Sequence, residues 1–240
     1  MTTPAADSLQ TRPGNGVAER GEPDRATAKE VARAARIISA AGLIEAFGHV
    51  SARDGEGMLI TATRPLVTAT AADVHRFGPG AQEPEGAEDV PLEAPMHAAV
   101  YAARPEVDAI CRTHSPAAVI AGAQGEVPPL GHGLGGLAGE VGFCERTDLV
   151  TDLEAGGEIA AALGSDDCLL IRGNGAIAVG RSLAEAVVRA RYLEERCMVG
   201  EGLGPEQAFT GDELARRQRW FEKETARAWA WMNWRYGRDT

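Results

Sequence analysis

The chain has 240 residues, 44% of them hydrophobic and 25% charged, with a formal net charge of -11. This is the composition of an ordinary globular domain with its own core. The acidic excess argues against a nucleic-acid partner, whose phosphates need a positive surface, and no apolar run approaches the roughly 20 residues that span a bilayer.

In chain order, residues 1–26 are rich in Pro, Gly and charge without an apolar period, so they read as a disordered tail. They also lack the apolar centre of a signal peptide. Residues 27–240 read as a single domain. Its first helix opens at Thr27-Ala-Lys-Glu30, a capping-box pattern, and runs through Val31, Ala34, Ala35 and Ile38 to a C-cap at Gly42. Short strands follow at 47–51 and 58–62, joined by Asp54-Gly55-Glu56-Gly57, and a loop rich in Gly, Pro and acid occupies 77–91. Glu93 to Ala103 predicts a helix and Val107 to Thr113 a strand, after which Ser115 is placed to cap a helix starting at Pro116. A Gly-rich stretch spans 131–143. The strands at 169–171 and 176–179 meet at Arg172-Gly173-Asn174-Gly175, where Asn-Gly signals a hairpin. Capping boxes at Ser182–Glu185 and Thr210–Glu213 open a long helix to about Val199 and a C-terminal helix carrying Trp220, Trp229, Trp231 and Trp234. The mixture predicts an α/β fold of α/β/α layers around a mainly antiparallel sheet. Cys111, Cys144, Cys168 and Cys197 form no C-x-x-C pair, which suggests buried thiols in a reducing cytoplasm.

Three clusters carry chemistry. Glu93 and His97, at i and i+4 on a helix, offer a carboxylate and an imidazole on one face, or else form a helix-surface pair. Arg112 and His114, at i and i+2 in a strand, point to the same side. An interior arginine wants an anion, either a ligand or a protein carboxylate. Gly173-Asn174-Gly175 stands as a hairpin turn unless Asn174 is used for more than its backbone.

The order of these clusters resembles the class II aldolase/adducin superfamily. That family carries G-N/H-[LV]-S, a Glu four residues before a His, a strand ending His-x-His, and a His-Gly turn before a long helix. The counterparts here are Gly48-His49-Val50-Ser51, Glu93 to His97, Arg112-Thr-His114 and Asn174-Gly175, within a likeness covering about residues 30–205. The resemblance implies a lyase scaffold whose three turn and strand histidines hold a divalent metal, usually zinc, with the Glu as acid/base or further ligand. Here Arg112 and Asn174 stand at two of the three histidine positions and only His114 remains. One imidazole and a carboxylate make a poor zinc site, so no cofactor is expected; the alternative is zinc or another divalent metal rebuilt from His97, His49 or His132.

The resemblance also implies where substrate sits. Sugar-phosphate aldolases of the family use Asn in the first motif and a Thr-Gly turn after the next strand. Here His49 and Thr63-Arg64 take those places, with Ser51 closing the motif. The G-H-[LV]-S form resembles the branch with decarboxylases of aromatic acids and aminocoumarin oxygenases, so a carboxylate-bearing small molecule is expected, bound by Arg112 with His49, Ser51, Thr63 or Arg64. Glu93, His97, His114, Arg112 and Asn174 are the expected catalytic residues for C–C cleavage or formation, decarboxylation or a proton-transfer isomerisation. Two other readings stand beside it: a catalytically inactive binding or scaffold protein, and a metal-dependent enzyme with re-recruited ligands. By the same resemblance the chain is expected to form a homo-oligomer, a tetramer in the family.

Overall fold

The strand sequences are apolar on both faces, which requires a sheet covered on both sides. The computed structural model describes residues 26–83 and 87–237, so the expected tail lies, Ala26 apart, outside the described residues. Seven strands form one sheet: β1 (His49–Asp54), β2 (Gly57–Thr61), β3 (Val74–Phe77), β4 (Ala109–Thr113), β5 (Val141–Cys144), β6 (Cys168–Ile171) and β7 (Ala176–Gly180). Their order is β3-β2-β1-β4-β7-β6-β5. Only the β5–β6 pair is parallel. The expected α/β/α architecture with a mainly antiparallel sheet is therefore what the chain adopts.

Period-two alternation sorts the strand side chains between two cores. Val50, Ala52, Ala109, Cys111, Ala176 and Ala178 face the layer built by α1 (Ala28–Ala40), α3 (Pro116–Gln124), α5 (Leu183–Gly200) and α7 (Phe221–Tyr236). Ile60, Ile110, Leu169, Ile177 and Val179 face the opposite layer of α2 (Ala94–Ala103) and α4 (Leu153–Leu163). The four cysteines are free and buried.

Local chemistry sets the element ends. Thr27 caps α1 in a full capping box: its hydroxyl accepts from the Glu30 amide, and the Glu30 carboxylate accepts from the Thr27 amide at 2.7 Å. Gly42 closes the helix in a left-handed conformation, φ 78°. At α5 the box is shifted: the Ser182 hydroxyl accepts from the Glu185 amide, but the Glu185 carboxylate takes the amide of Arg181.

Three expectations are corrected. Ser115 is the N-cap of α3 but its side chain makes no capping bond. Instead the buried Glu194 on α5 accepts from the amides of Ala117 and Ala118, both at 3.0 Å. A full negative charge suits the positive end of a helix dipole better than a hydroxyl, and Pro116 leaves those two amides as the donors needing partners. The β6–β7 turn is centred on Arg172-Gly173, closed by Asn174 N–H to the Ile171 carbonyl at 3.0 Å, and not on Asn174-Gly175. Gly173 supplies the positive φ, 61°, which spares Asn174 from that duty. The C-terminal segment is two helices, α6 (Gly211–Gln218) and α7, separated at Arg219-Trp220. The break lets Ala228 and Met232 join the core beneath α1 and α5.

Replacing Glu194 tests the long-range cap. Glu194→Ala leaves one buried and one partly buried amide unpaired and should cost about 2 kcal/mol, read as a lower urea midpoint at unchanged slope. A change within experimental error would show that the carboxylate caps nothing.

Candidate active site

The site is built where β1 and β4 run side by side. His49 and Arg112 are cross-strand partners, so their side chains leave the same face of the sheet, the face covered by α2. That pairing needs a glycine before His49. Gly48 has φ 136°, and a Cβ there would lie 2.6 Å from the Arg112 carbonyl oxygen. On the other flank a Cβ on Gly175 would lie 2.1 Å from the carbonyl oxygen of Thr113. Both glycines are close-approach positions that admit no side chain.

Arg112 is 0% exposed. Its Nε donates to Glu93 Oε2 at 3.2 Å, and one terminal nitrogen, Nη1, donates to the Thr113 carbonyl at 2.8 Å. Burial lowers the guanidinium pKa and the neighbouring Glu93 carboxylate opposes that; an arginine stays charged through such shifts. Glu93, at the N-cap position of α2, is also buried. The sequence left open a ligand-binding arginine or a salt bridge to a protein carboxylate, and the structure shows the salt bridge. One carboxylate oxygen is engaged, while Arg112 Nη2 and Glu93 Oε1 are buried without a hydrogen-bond partner among the described residues.

Three imidazoles surround this pair, and each is held neutral. Burial, then the charge of Arg112, depress His49 to about 3. Burial takes His97 well below the ordinary value, with His49 and Arg112 adding to the effect. The two rings meet edge-on, with centroids 5.9 Å apart. His114, just past the end of β4, is less enclosed. Burial and Arg112 lower its pKa, against the upward pull of Asn174, Glu93 and the Phe47 carbonyl. Its Nδ1 lies 3.3 Å from the Phe47 carbonyl oxygen and its Nε2 lies 3.2 Å from Asn174 Oδ1. Two oxygen acceptors suit the imidazolium. When the ring is neutral, Nδ1 keeps the proton for the carbonyl and Asn174 presents its amide NH2 to Nε2 after a half-turn.

The remaining sequence-predicted residues are placed differently. Ser51 is 0% exposed, with its hydroxyl 2.7 Å from His97 Nδ1 and 2.8 Å from the Tyr101 phenol oxygen, so it supports the site from behind. Thr63 is exposed, and its amide donates to the Asp89 carbonyl at 2.8 Å. Arg64 is 59% exposed and is engaged by Asp89 at 2.7 Å and Asp73 at 3.7 Å, with no contact to the Arg112 cluster. His132 lies by Glu195 of α5, 3.8 Å away. Sequence reasoning missed Tyr101 and Phe47. Tyr101 stands four residues after His97 on α2, a spacing that places both on one helix face. Phe47 contributes through its backbone carbonyl, which no side-chain pattern reveals.

A divalent metal does not fit this donor set. Among the described residues no three His, Cys, Asp or Glu side chains converge as a ligand group. A permanently charged guanidinium and an amide occupy the positions where the family pattern has histidines. What the cluster offers is a fixed positive charge with one unused donor, an unused carboxylate oxygen, and a neutral imidazole with two carbonyl oxygens ready to receive its second proton.

The family described as Class II Aldolase and Adducin N-terminal domain matches residues 29–199. The chain belongs to the class II aldolase/adducin family. A 3,4-dihydroxyphthalate decarboxylase from Terrabacter sp. is 36% identical over 176 residues, 67% of this chain and 74% of that protein. A 5-methylthioribulose-1-phosphate/5-deoxyribulose-1-phosphate aldolase from Rhodospirillum rubrum is 29% identical over 165 residues, 68% of this chain and 74% of that protein. Among solved structures, the L-fuculose 1-phosphate aldolase from Glaciozyma antarctica shares the fold, with TM-score 0.71 at 20% identity over 88% of this chain and 91% of that one. As a class II aldolase/adducin family member with decarboxylase and aldolase relatives, the chain is a lyase. Among the described residues no helix is long and apolar enough to cross a membrane.

Proposed function

We propose that this lyase decarboxylates a small hydroxylated aromatic carboxylate, with the Arg112 guanidinium acting where a family metal would. The observation that carries the reading is the unused Nη2 donor of a fully buried arginine, set beside a neutral His114. Similarity to decarboxylases of 3,4-dihydroxyphthalate supports the substrate class.

The chemistry follows from the charges. Neutral His114 accepts the phenolic proton and becomes an imidazolium stabilised by the Phe47 carbonyl and Asn174 Oδ1. The phenolate pushes electron density onto the ring carbon that bears the carboxylate. Arg112 Nη2 stabilises the ring oxyanion in a site shielded from water, where a fixed charge acts most strongly. His114 returns the proton to that carbon. The carbon–carboxylate bond then breaks, CO2 leaves, its electron pair restores the aromatic ring as a phenolate, and solvent supplies the final phenolic proton. Glu93 holds Arg112 in place and balances its charge.

Arg112→Gln should lower kcat/KM for 3,4-dihydroxyphthalate by about 10²–10³, the range for losing one oxyanion donor, measured as CO2 release. Wild-type turnover should survive exhaustive chelation. Full activity in the variant sinks the guanidinium assignment, whereas activity lost to chelator and restored by zinc or manganese establishes re-recruited ligands instead.

The pH dependence has a definite sign. The reaction needs neutral His114, whose pKa is lowered from 6.5, so kcat/KM should hold at pH 6.5 and fall only at lower pH. A rate that rises as pH drops below 6.5 would make His114 the starting acid and reverse the scheme.

We propose also that the enzyme is a homo-oligomer, which the exposed Trp231 and Trp234 on α7 support. Light scattering at micromolar concentration should give a multiple of the chain mass; a monomer ends that proposal.

A further inference from the structure

Behind the site, one hydroxyl links two side chains of α2. Ser51 Oγ lies 2.7 Å from His97 Nδ1 and 2.8 Å from the phenol oxygen of Tyr101. All three residues are buried, Ser51 and His97 at 0% exposure. A serine has one proton to give, so the chain of hydrogen bonds runs in one of two directions. In the first, Tyr101 donates to Ser51 and Ser51 donates to His97 Nδ1. In the second, His97 Nδ1–H donates to Ser51 and Ser51 donates to Tyr101, which strands the phenolic proton.

The surroundings decide the direction. Burial drives the Tyr101 phenol strongly towards its protonated form, so a proton is there to be placed, and Ser51 is its hydrogen-bond partner. Arg53, stacked 4.9 Å over the Tyr101 ring, spends its donors on the carbonyls of Val107, Tyr101 and Arg104 and makes no demand on the phenol oxygen. Either direction leaves one buried donor unpaired, the Nε2–H in the first and the phenol O–H in the second. The second also leaves the Nε2 lone pair without a donor and is the costlier arrangement. Ser51 therefore donates to Nδ1. In a neutral ring the proton then sits on Nε2, which is buried without a hydrogen-bond partner among the described residues, on a ring that feels the charge of Arg112.

We infer that Tyr101 and Ser51 are positioning residues that lock His97 as a neutral Nε2–H donor, giving the site a second buried donor beside Arg112 for the oxyanion of an aromatic carboxylate substrate. The substrate half rests on the decarboxylase reading; the tautomer half does not. The two donors differ in kind. Arg112 brings charge, whereas His97 brings a directed N–H whose orientation is set from outside the site.

The test is nitrogen-15 NMR of the full chain labelled at histidine, at pH 7 and without substrate. His97 is assigned from His97→Gln, or by elimination with the other four histidines substituted singly if that variant does not fold. The expected spectrum is a neutral ring protonated at Nε2. In Tyr101→Phe the Ser51 hydroxyl is released, so the His97 signals should shift towards a tautomer average, with a loss of about tenfold in kcat at nearly unchanged KM. Added phthalate should move the Nε2–H proton downfield. A ring protonated at Nδ1, or an imidazolium, overturns the lock, as does a Tyr101→Phe spectrum identical to wild type. Phthalate that competes for the site yet leaves the Nε2–H resonance in place overturns the donor role. Wild-type protein with the expected tautomer but no CO2 release from 3,4-dihydroxyphthalate would instead refute the decarboxylase reading alone.

Discussion

The buried ion pair of Arg112 and Glu93 is the constraint around which the site is arranged. A guanidinium at zero exposure is tolerable only with a carboxylate against it, and removing one partner of such a pair costs about 3–5 kcal/mol. Glu93 is supplied by the N-cap position of α2 and Arg112 by the penultimate residue of β4, so the pair fastens a covering helix to the middle of the sheet. Burial lowers the pKa of the neighbouring imidazoles, and the same charge adds to that effect. One ion pair thus joins α2 to the sheet, reinforces the effect of burial on three histidines and marks the place where negative charge is welcome.

Neutral histidines give the site a consistent logic. None contributes a fixed charge, so each is available to exchange a proton or direct one. His114 faces two carbonyl oxygens that favour its charged form only once it has taken a proton. His97 is tied from behind and has no such acceptors on its inner nitrogen. The rings share residue type and differ in role because their hydrogen-bond partners differ.

Much of this was legible in the sequence, because it depends on spacing along single elements. The i,i+4 pair on α2, the i,i+2 pair on β4, the capping box at Thr27 and the strand alternation each involve residues a few positions apart. The layered fold followed from the same periodicities. What escaped is what distant segments decide. Glu194 caps a helix 76 and 77 residues away in sequence. Arg64 looked like a ligand contact until Asp73 and Asp89 were brought to it. Ser51 closes a motif associated with substrate, yet Tyr101 claims its hydroxyl across 50 positions. The hairpin placed its turn two residues early because Gly173 meets the conformational demand as well as Asn174-Gly175 would.

The glycines at 48 and 175 have a consequence for redesign. Each lets neighbouring backbone press on a carbonyl of β4, at Arg112 and at Thr113, so the strand is clamped on both edges at the residue that matters. The root of the Arg112 side chain is therefore set by the main chain, while Glu93 fixes where its guanidinium ends. An engineer seeking a new substrate would leave that clamp alone and vary what surrounds the mouth, beginning with Phe47, whose ring is 74% exposed and already stands edge-on to His114. The anion hold would be inherited unchanged, while the shape of what it accepts is rewritten.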